Sequence, residues 1–132
     1  MPNIKAIQNL QGESVAGAVS ATSNQNTANA LALVTGVADN TPNTGDYTTL
    51  KVNTLIIANT HASTAAVVSI EFDSGSGTPR TFVNAVSIPA GASLDVLSGP
   101  IYVNATESLN GFVTGADVNF LVSYEKLVSN VD

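Results

Sequence analysis

The chain has 132 residues, of which 44% are hydrophobic, 5% aromatic and 11% charged, with a formal net charge of −6. This length fits one domain, and the combination of low charge with high apolar content argues against a disordered polymer. Four widely spaced basic residues argue against nucleic acid as a partner, and the absence of cysteine excludes disulfides, thiolate metal sites and cysteine nucleophiles.

Residues 1–29 form the first distinct segment, because they are mostly small and polar and show no sustained hydrophobic period. We therefore predict two regions, an extended N-terminal arm over residues 1–29 and a β-sandwich domain over residues 30–132. The arm either lies on neighbouring subunits or runs as an extended edge segment along its own domain. If it lies on neighbours, deleting it should leave a folded, soluble domain that no longer attaches to its partner.

The first half of the predicted sandwich contains three apolar runs separated by turn residues. Residues 30–38 predict a strand, which the Pro- and Gly-containing run 39–46 ends. Residues 48–59 predict a longer strand whose second half is apolar on both faces, so we expect it at the centre of a sheet or sandwiched between layers. After a turn at 60–64, residues 65–73 predict the third strand.

The second half begins with a loop at 73–79 that connects as a hairpin to a strand at 80–88. Further strands are predicted at 93–97, 101–103, 107–114 and 116–127. In the last of these, alternate residues are apolar and only Leu121 breaks the alternation, so one face should be buried. About eight short strands and no helix longer than a turn predict an all-β, antiparallel two-sheet β-sandwich, with the jelly roll as a candidate topology and the N-terminal arm extended.

Candidate catalytic and metal-binding residues are few. His61 is the only histidine and falls in a polar turn, where a surface role is favoured over a Ser-His-Asp arrangement. The acidic residues could supply oxygen ligands, but their spacing matches no calcium loop, and the DSGSG run at 73–77 lacks the closing Glu. We therefore predict no catalytic, cofactor-binding or metal site and no cofactor. The acidic residues weighed are Asp39, Asp46, Glu71, Asp73, Asp95, Glu107 and Asp117.

Other site classes receive no support either. Seven aromatic residues, several of them expected in the core, leave little for a sugar-binding groove. Gly75 and Gly77 precede no predicted helix, so they form no phosphate loop. Asn104 and Thr106 fit a glycosylation acceptor, but the N-terminal sequence lacks the features of a signal peptide. With no apolar run long enough for a membrane span, we expect a cytoplasmically made, soluble chain with no membrane partner.

Several short segments between residues 54 and 127 follow one another in a characteristic order: 55–59 (LIIAN), the two strands around 73–79, 86–94 (VSIPAGASL), 100–103 (PIYV), 107–109 (ESL) and 122–125 (VSYE). This order resembles that of small structural proteins of tailed-bacteriophage virions, of the head decoration or cement type. In those proteins a Pro-Ala-Gly turn leads to a strand, then to an Ile-Tyr strand, a Ser-Leu strand and a final Val-Ser-Tyr-Glu strand. The first 50 residues carry no part of this resemblance.

The resemblance implies a β-sandwich without enzymatic activity that binds the major capsid protein or another virion structural protein. It also implies a homo-oligomer, commonly a trimer, located in the virion after assembly in the host cytoplasm. An acidic chain fits the outside of a head better than its DNA-facing side. The alternatives are a tail, neck or fibre component of the virion, a carbohydrate-binding adhesin module and, last, an enzyme whose activity depends on His61.

Overall fold

The computed structural model describes residues 9–21, 31–37 and 47–129. These residues contain nine β-strands and no helix, as the all-β prediction requires. The strands are β1 (Asn9–Val19), β2 (Leu31–Thr35), β3 (Tyr47–Ala58), β4 (Ala66–Asp73), β5 (Arg80–Ile88), β6 (Ser93–Asp95), β7 (Ile101–Val103), β8 (Ser108–Thr114) and β9 (Val118–Ser129).

The strands form two antiparallel sheets. The first sheet has the order β1-β9-β3-β6, with β7 also paired to β3, and the second has the order β2-β8-β4-β5. The expected central position of residues 48–59 is confirmed, because β3 lies between β9 on one side and β6 and β7 on the other. The antiparallel sandwich predicted from the strand and turn pattern is therefore correct.

The pairing follows one rule along the chain. If β6 and β7 are counted as one interrupted strand, the first strand pairs with the last, the second with the next to last, and so on inward: β1 with β9, β2 with β8, β3 with β6 and β7, and β4 with β5. A long hairpin that is rolled up so that it also forms the β3–β9 and β4–β8 pairs gives this pattern. The sandwich is thus a jelly roll.

The core lies between the two sheets and is built from aliphatic side chains of moderate size. Leu55, Ile57 and Val122 of the first sheet and Ile70 and Leu109 of the second are fully buried. Each contributes about 1.5–3 kcal/mol by leaving water. The alternation predicted for the last strand is confirmed, since Val118, Phe120 and Val122 are buried while Leu121 is 41% exposed.

Strand β1 was not predicted, although residues 9–19 lie within the segment assigned to the arm. It pairs with β9 along its whole length without a register shift, from Asn9 opposite Val128 to Val19 opposite Val118. Val19 is buried in the core. These residues therefore run along the edge of their own domain, while the division of the chain at residue 29 stays a prediction. Residues 1–8, 22–30 and the turn at 39–46 lie outside the described residues.

The buried Asn59 joins two turns at one end of the sandwich. Its side-chain amide donates to the carbonyl oxygens of Thr64 at 2.9 Å and Ile88 at 3.0 Å, and its Oδ1 accepts from the backbone N–H of His61 at 3.0 Å. Its backbone N–H donates to Ala92 and its carbonyl accepts from Gly91. One amide side chain thus fixes the turn after β3 against the turn between β5 and β6.

Candidate interaction surfaces

His61 has a structural role in the turn where the sequence places it. Its exposed ring accepts hydrogen bonds at Nδ1 from the backbone N–H groups of Ser63 at 3.1 Å and Thr64 at 2.9 Å. A general base needs a free ring nitrogen facing an activated hydroxyl and an orienting carboxylate on the other nitrogen. With Nδ1 occupied by backbone donors, this ring closes a turn and does not resemble the centre of a catalytic triad.

In the described part of the chain, most of the carboxylates considered as metal ligands instead accept hydrogen bonds from backbone N–H groups. Oδ1 of Asp73 accepts from Gly75 N–H at 2.8 Å, which closes the hairpin turn expected at 73–79. Oδ1 of Asp95 accepts from Leu55 and Leu97 N–H groups, Oε1 of Glu107 from Asn104 N–H, and Oδ1 of Asp117 from Ala21 N–H. No group of three or more metal-ligating side chains occurs among the described residues, while Asp39 and Asp46 lie outside them.

Glu71 differs from these carboxylates, because its side chain is only 2% exposed and its Oε2 has no hydrogen-bond partner among the described residues. It lies in β4 opposite Thr81 of β5 and Asn110 of β8. In the same strand, Ser69 is buried and Phe72 is half-buried. A buried carboxylate oxygen without a donor lowers the stability of the fold, and no pattern around Glu71 predicts that this acid is buried.

Hydrogen bonds connect the loop at 104–107 to β3 and to the hairpin turn after β4. Oδ1 of Asn104 accepts from the Thr49 hydroxyl at 2.7 Å, and Glu107 N–H donates to the Asn104 carbonyl at 3.1 Å. Thr106 contacts the hairpin turn, with its hydroxyl 3.5 Å from the Ser74 carbonyl oxygen. The residues of the glycosylation pattern therefore build a turn, and Asn104 has its side-chain oxygen engaged.

The outer face of the first sheet is unusual for an acidic protein, because its centre carries no charge. Alternation places Ser14, Ala16 and Ala18 of β1 beside Ser123, Leu121 and Asn119 of β9, and these beside Thr54, Ile56 and Ala58 of β3. Leu121 lies in the middle of this surface. Charged side chains lie around this centre: Lys51 and Glu125 toward one end of the strands, and the exposed Asp95 of β6 beside Ile56. We call this central region the neutral face.

The four edges of the two sheets differ in a way that matters for association. In the described residues β6 has 3 residues and β7 has 3, separated by a Ser-Gly-Pro turn. Strand β2 has 5 residues and a register shift, and β5 has two shifts against β4, with Ala85 at a φ of 53°. Short strands and bulges of this kind prevent an edge from pairing with another chain.

Strand β1 has neither feature. It is 11 residues long and straight in register, and its single charged residue, Glu13, accepts a hydrogen bond at Oε2 from the Tyr124 hydroxyl at 2.7 Å. That hydrogen bond, then burial and the Glu13 charge, raise the pKa of Tyr124 to about 12. Val15 is 42% exposed at this edge. Among the described residues no further strand pairs with this edge, and its one charged side chain, Glu13, is held by the Tyr124 hydroxyl.

A groove with a volume of about 260 Å³ runs along the opposite side of the sandwich. Phe82 and Val83 of β5 form one wall, and residues 96–101 form the other. Its lining is polar and apolar in nearly equal parts, and Phe82 is the only aromatic side chain among the described residues that line it. None of the described residues forms a helix long and apolar enough to cross a membrane.

The sequence matches no protein-family profile and no curated protein. Among solved structures, the chain is similar to chains in structures of infectious bursal disease virus. For the Gt strain the TM-score is 0.38 at 12% identity, covering 97% of this chain and 33% of the matched chain. For the Gx strain the TM-score is 0.35 at 12% identity, covering 98% of this chain and 37% of the matched chain. For the T13 particle the TM-score is 0.34 at 12% identity, covering 89% of this chain and 39% of the matched chain. The chain thus spans little more than a third of the chains that it matches.

Proposed function

We propose that this chain is a non-enzymatic structural protein of a tailed-bacteriophage virion, a head decoration or cement protein. In this role it binds the major capsid protein on the outer lattice as a homo-oligomer and stabilises the shell by adding buried interface. The observation that carries the proposal is the jelly-roll pairing of β1 with β9, β2 with β8, β3 with β6 and β7, and β4 with β5. Jelly rolls are a common architecture of viral shell proteins.

The segments that resemble phage virion proteins occupy defined places in this jelly roll, which supports the proposal. The PAG run at 89–91 is the turn between β5 and β6, and the Ile-Tyr-Val run is β7. The VSYE run at 122–125 lies in β9, between β1 and β3. Both β7 and β9 pair with β3, which contains most of the LIIAN run at 55–59, so these three segments belong to one sheet.

The chemistry of the described surface also favours binding over catalysis. His61 and the half-buried carboxylates of Asp73 and Glu107 accept hydrogen bonds that close turns. The neutral face offers a broad surface without the charge that would oppose contact between acidic proteins. A fold alone does not determine a function, so the surface properties are needed together with the topology.

Binding of a carbohydrate is not favoured by any described feature. Of the exposed large apolar residues, only Phe82 and Tyr102 are aromatic. Phe82 lines the groove, whereas Tyr102 is absent from its lining and pairs with Lys51 on β3. Stacking on a sugar needs aromatic rings that line the same surface, and only one of these two rings lines the groove.

The proposal is tested by counting copies of the chain in the particle from which it comes. Purified virions are digested and the chain is quantified by mass spectrometry against the major capsid protein, with labelled peptides of both as standards. A ratio near one to one, or a fixed simple fraction of it, supports decoration of the whole lattice. A few copies per particle would move the protein to the tail, neck or fibres, and absence from particles would refute a virion role.

A further inference from the structure

We infer that the free edge of β1 pairs with the β1 edge of a second copy of this chain, in an antiparallel arrangement about a two-fold axis. The two copies would then share one continuous sheet with the order β3-β9-β1-β1-β9-β3. The inference concerns contact between copies of this chain. It does not rest on the proposed role in a virion, and it is tested with the purified chain alone.

The first argument is that, in the part of the chain that the structure describes, three of the four sheet edges are short or bulged and the β1 edge is neither. Strands β2, β5 and the interrupted β6–β7 edge are short, bulged or both. Strand β1 has 11 residues in unbroken register with β9, and so spans roughly 35 Å at about 3.3 Å per residue. A monomer that had to remain monomeric would protect this edge as it protects the others.

The second argument identifies the occupant. Unpaired backbone N–H and C=O groups along a straight edge are satisfied by another extended strand. An antiparallel strand pair is related to itself by a two-fold rotation, so the edge is complementary to its own copy without any further feature. Pairing about Val15 would place Val15 beside Val15 of the second copy and Glu13 beside Gly17, so that no charged side chain faces another.

The third argument concerns charge. Each copy carries a net charge of −6, so contact between copies is favourable only where charge is low. Between Asn9 and Val19 the only charged side chain is Glu13, and the Tyr124 hydroxyl hydrogen-bonds its carboxylate. The neutral face begins at this edge, and therefore two acidic copies can meet here with less repulsion than elsewhere.

The test is sedimentation equilibrium of the full chain with two matched variants, Val15→Lys and Leu94→Lys. Val15 and Leu94 are 42% and 43% exposed and lie on opposite edges of the same sheet. A lysine on an edge strand opposes pairing with another strand. We expect a dimer for the unmodified chain, a dissociation constant at least about tenfold higher for Val15→Lys, and one within about twofold for Leu94→Lys. Circular dichroism confirms that each variant is folded.

Two further readouts keep the inference open to refutation if Val15→Lys fails to fold. Added salt should strengthen the dimer of the unmodified chain, because it screens repulsion between two acidic copies. Alternate amides of residues 9–19, those not bonded to β9, should become protected from hydrogen exchange as the protein concentration rises. A monomer at all concentrations, an assembly weakened equally by both lysines, or edge amides that exchange rapidly at every concentration would overturn the inference.

Discussion

At Gly17 the backbone of β1 lies so close to Phe120 that no side chain fits between them. A Cβ atom there would stand 2.8 Å from the Phe120 ring, and this ring is buried in the core and has little freedom to move. We expect Gly17→Val to lower the free energy of unfolding by about 1–3 kcal/mol through overpacking. Urea denaturation followed by circular dichroism measures the change.

Gly12 provides the matched control in the same strand. A Cβ atom at Gly12 would meet no atom within 4 Å, and a β-branched residue suits a strand. Gly12→Val should therefore change the stability by no more than about 0.5 kcal/mol, or raise it slightly. Equal losses for the two variants would show that the Phe120 ring does not set the requirement for glycine.

Tyr124 and Glu13 link β1 to β9 through a hydrogen bond whose effect depends on pH. The pKa of the Tyr124 phenol is raised from 10.0 to about 12, first by the hydrogen bond to Glu13 and then by burial and the Glu13 charge. Because the folded state holds this proton more tightly than the unfolded chain, the contribution to stability is complete below pH 10 and is lost as the pH rises through 12.

Tyr124→Phe should therefore lower the stability near neutral pH by about 1 kcal/mol, the value of a hydrogen bond partly open to solvent. Between pH 10 and 12 the difference in Tm between the unmodified chain and this variant should shrink. Tyr102→Phe removes an exposed hydroxyl on β7 and leaves Tyr124 in place, so it should keep the pH dependence of the unmodified chain. A constant difference in Tm for Tyr124→Phe would contradict the assignment.

Asn59 and His61 belong to one turn but differ in what their removal exposes. Asn59→Ala leaves the Ile88 carbonyl without its buried donor and should lower the free energy of unfolding by about 2 kcal/mol. His61→Ala frees two N–H groups in an exposed turn, where water replaces the ring, so we expect a loss below about 1 kcal/mol. Thermal melts of the two variants side by side check the order, and a larger loss for His61→Ala would reverse it.

Among the elements, β1 determines whether β9 is a central or an edge strand. Deleting residues 1–19 removes Val19 from the core and exposes the whole edge of β9, from Val118 to Val128. We expect a lower Tm and concentration-dependent aggregation, measured by circular dichroism and light scattering. A soluble, equally stable product would instead agree with the arm reading, in which the remaining residues fold independently of the segment.

Most of the strands could be predicted because their own side chains alternate. In β9 the apolar residues Val118, Phe120 and Val122 fall on one parity, and in β3 the continuous apolar run indicates a central position. In both strands the residues of the strand itself show which side chains are buried. Strand ends were less exact, since the run predicted at 93–97 ends at Asp95, where the carboxylate accepts from Leu97 N–H and turns the chain.

Strand β1 could not be predicted from its own residues, because side chains of its partner β9 fill the space and provide the hydrogen bond that β1 needs. Its inward positions include Glu13, Val15 and Gly17, a set that shows no hydrophobic period. The Phe120 ring fills the space at Gly17, and the Tyr124 hydroxyl satisfies Glu13. A sequence window that contains β1 alone includes neither residue, so the signal for this strand lies about a hundred residues away, as in most non-local pairs of β-sheets.

At the scale of the whole molecule, the jelly roll explains why the candidate surfaces lie where they do. Rolling the hairpin brings β1 to the edge of the first sheet and puts its outer face in line with that of β9 and β3. Pairing of two copies through β1 would join their neutral faces into a surface of twice the width. The trimer implied by the resemblance and the dimer inferred from this edge make different predictions for the mass measured in solution.

The interruption between β6 and β7 limits how far such an assembly can grow. Strand β3 has a register shift between Val52 and Thr54, and residues 96–100 on its other side leave the ladder there. Among the strands that the structure describes, β1 is the one edge that is neither short nor bulged, so pairing of two copies through β1 would end growth by strand addition. A protein with an exposed 11-residue strand can in this way remain a finite particle, whereas two open edges would support a fibril.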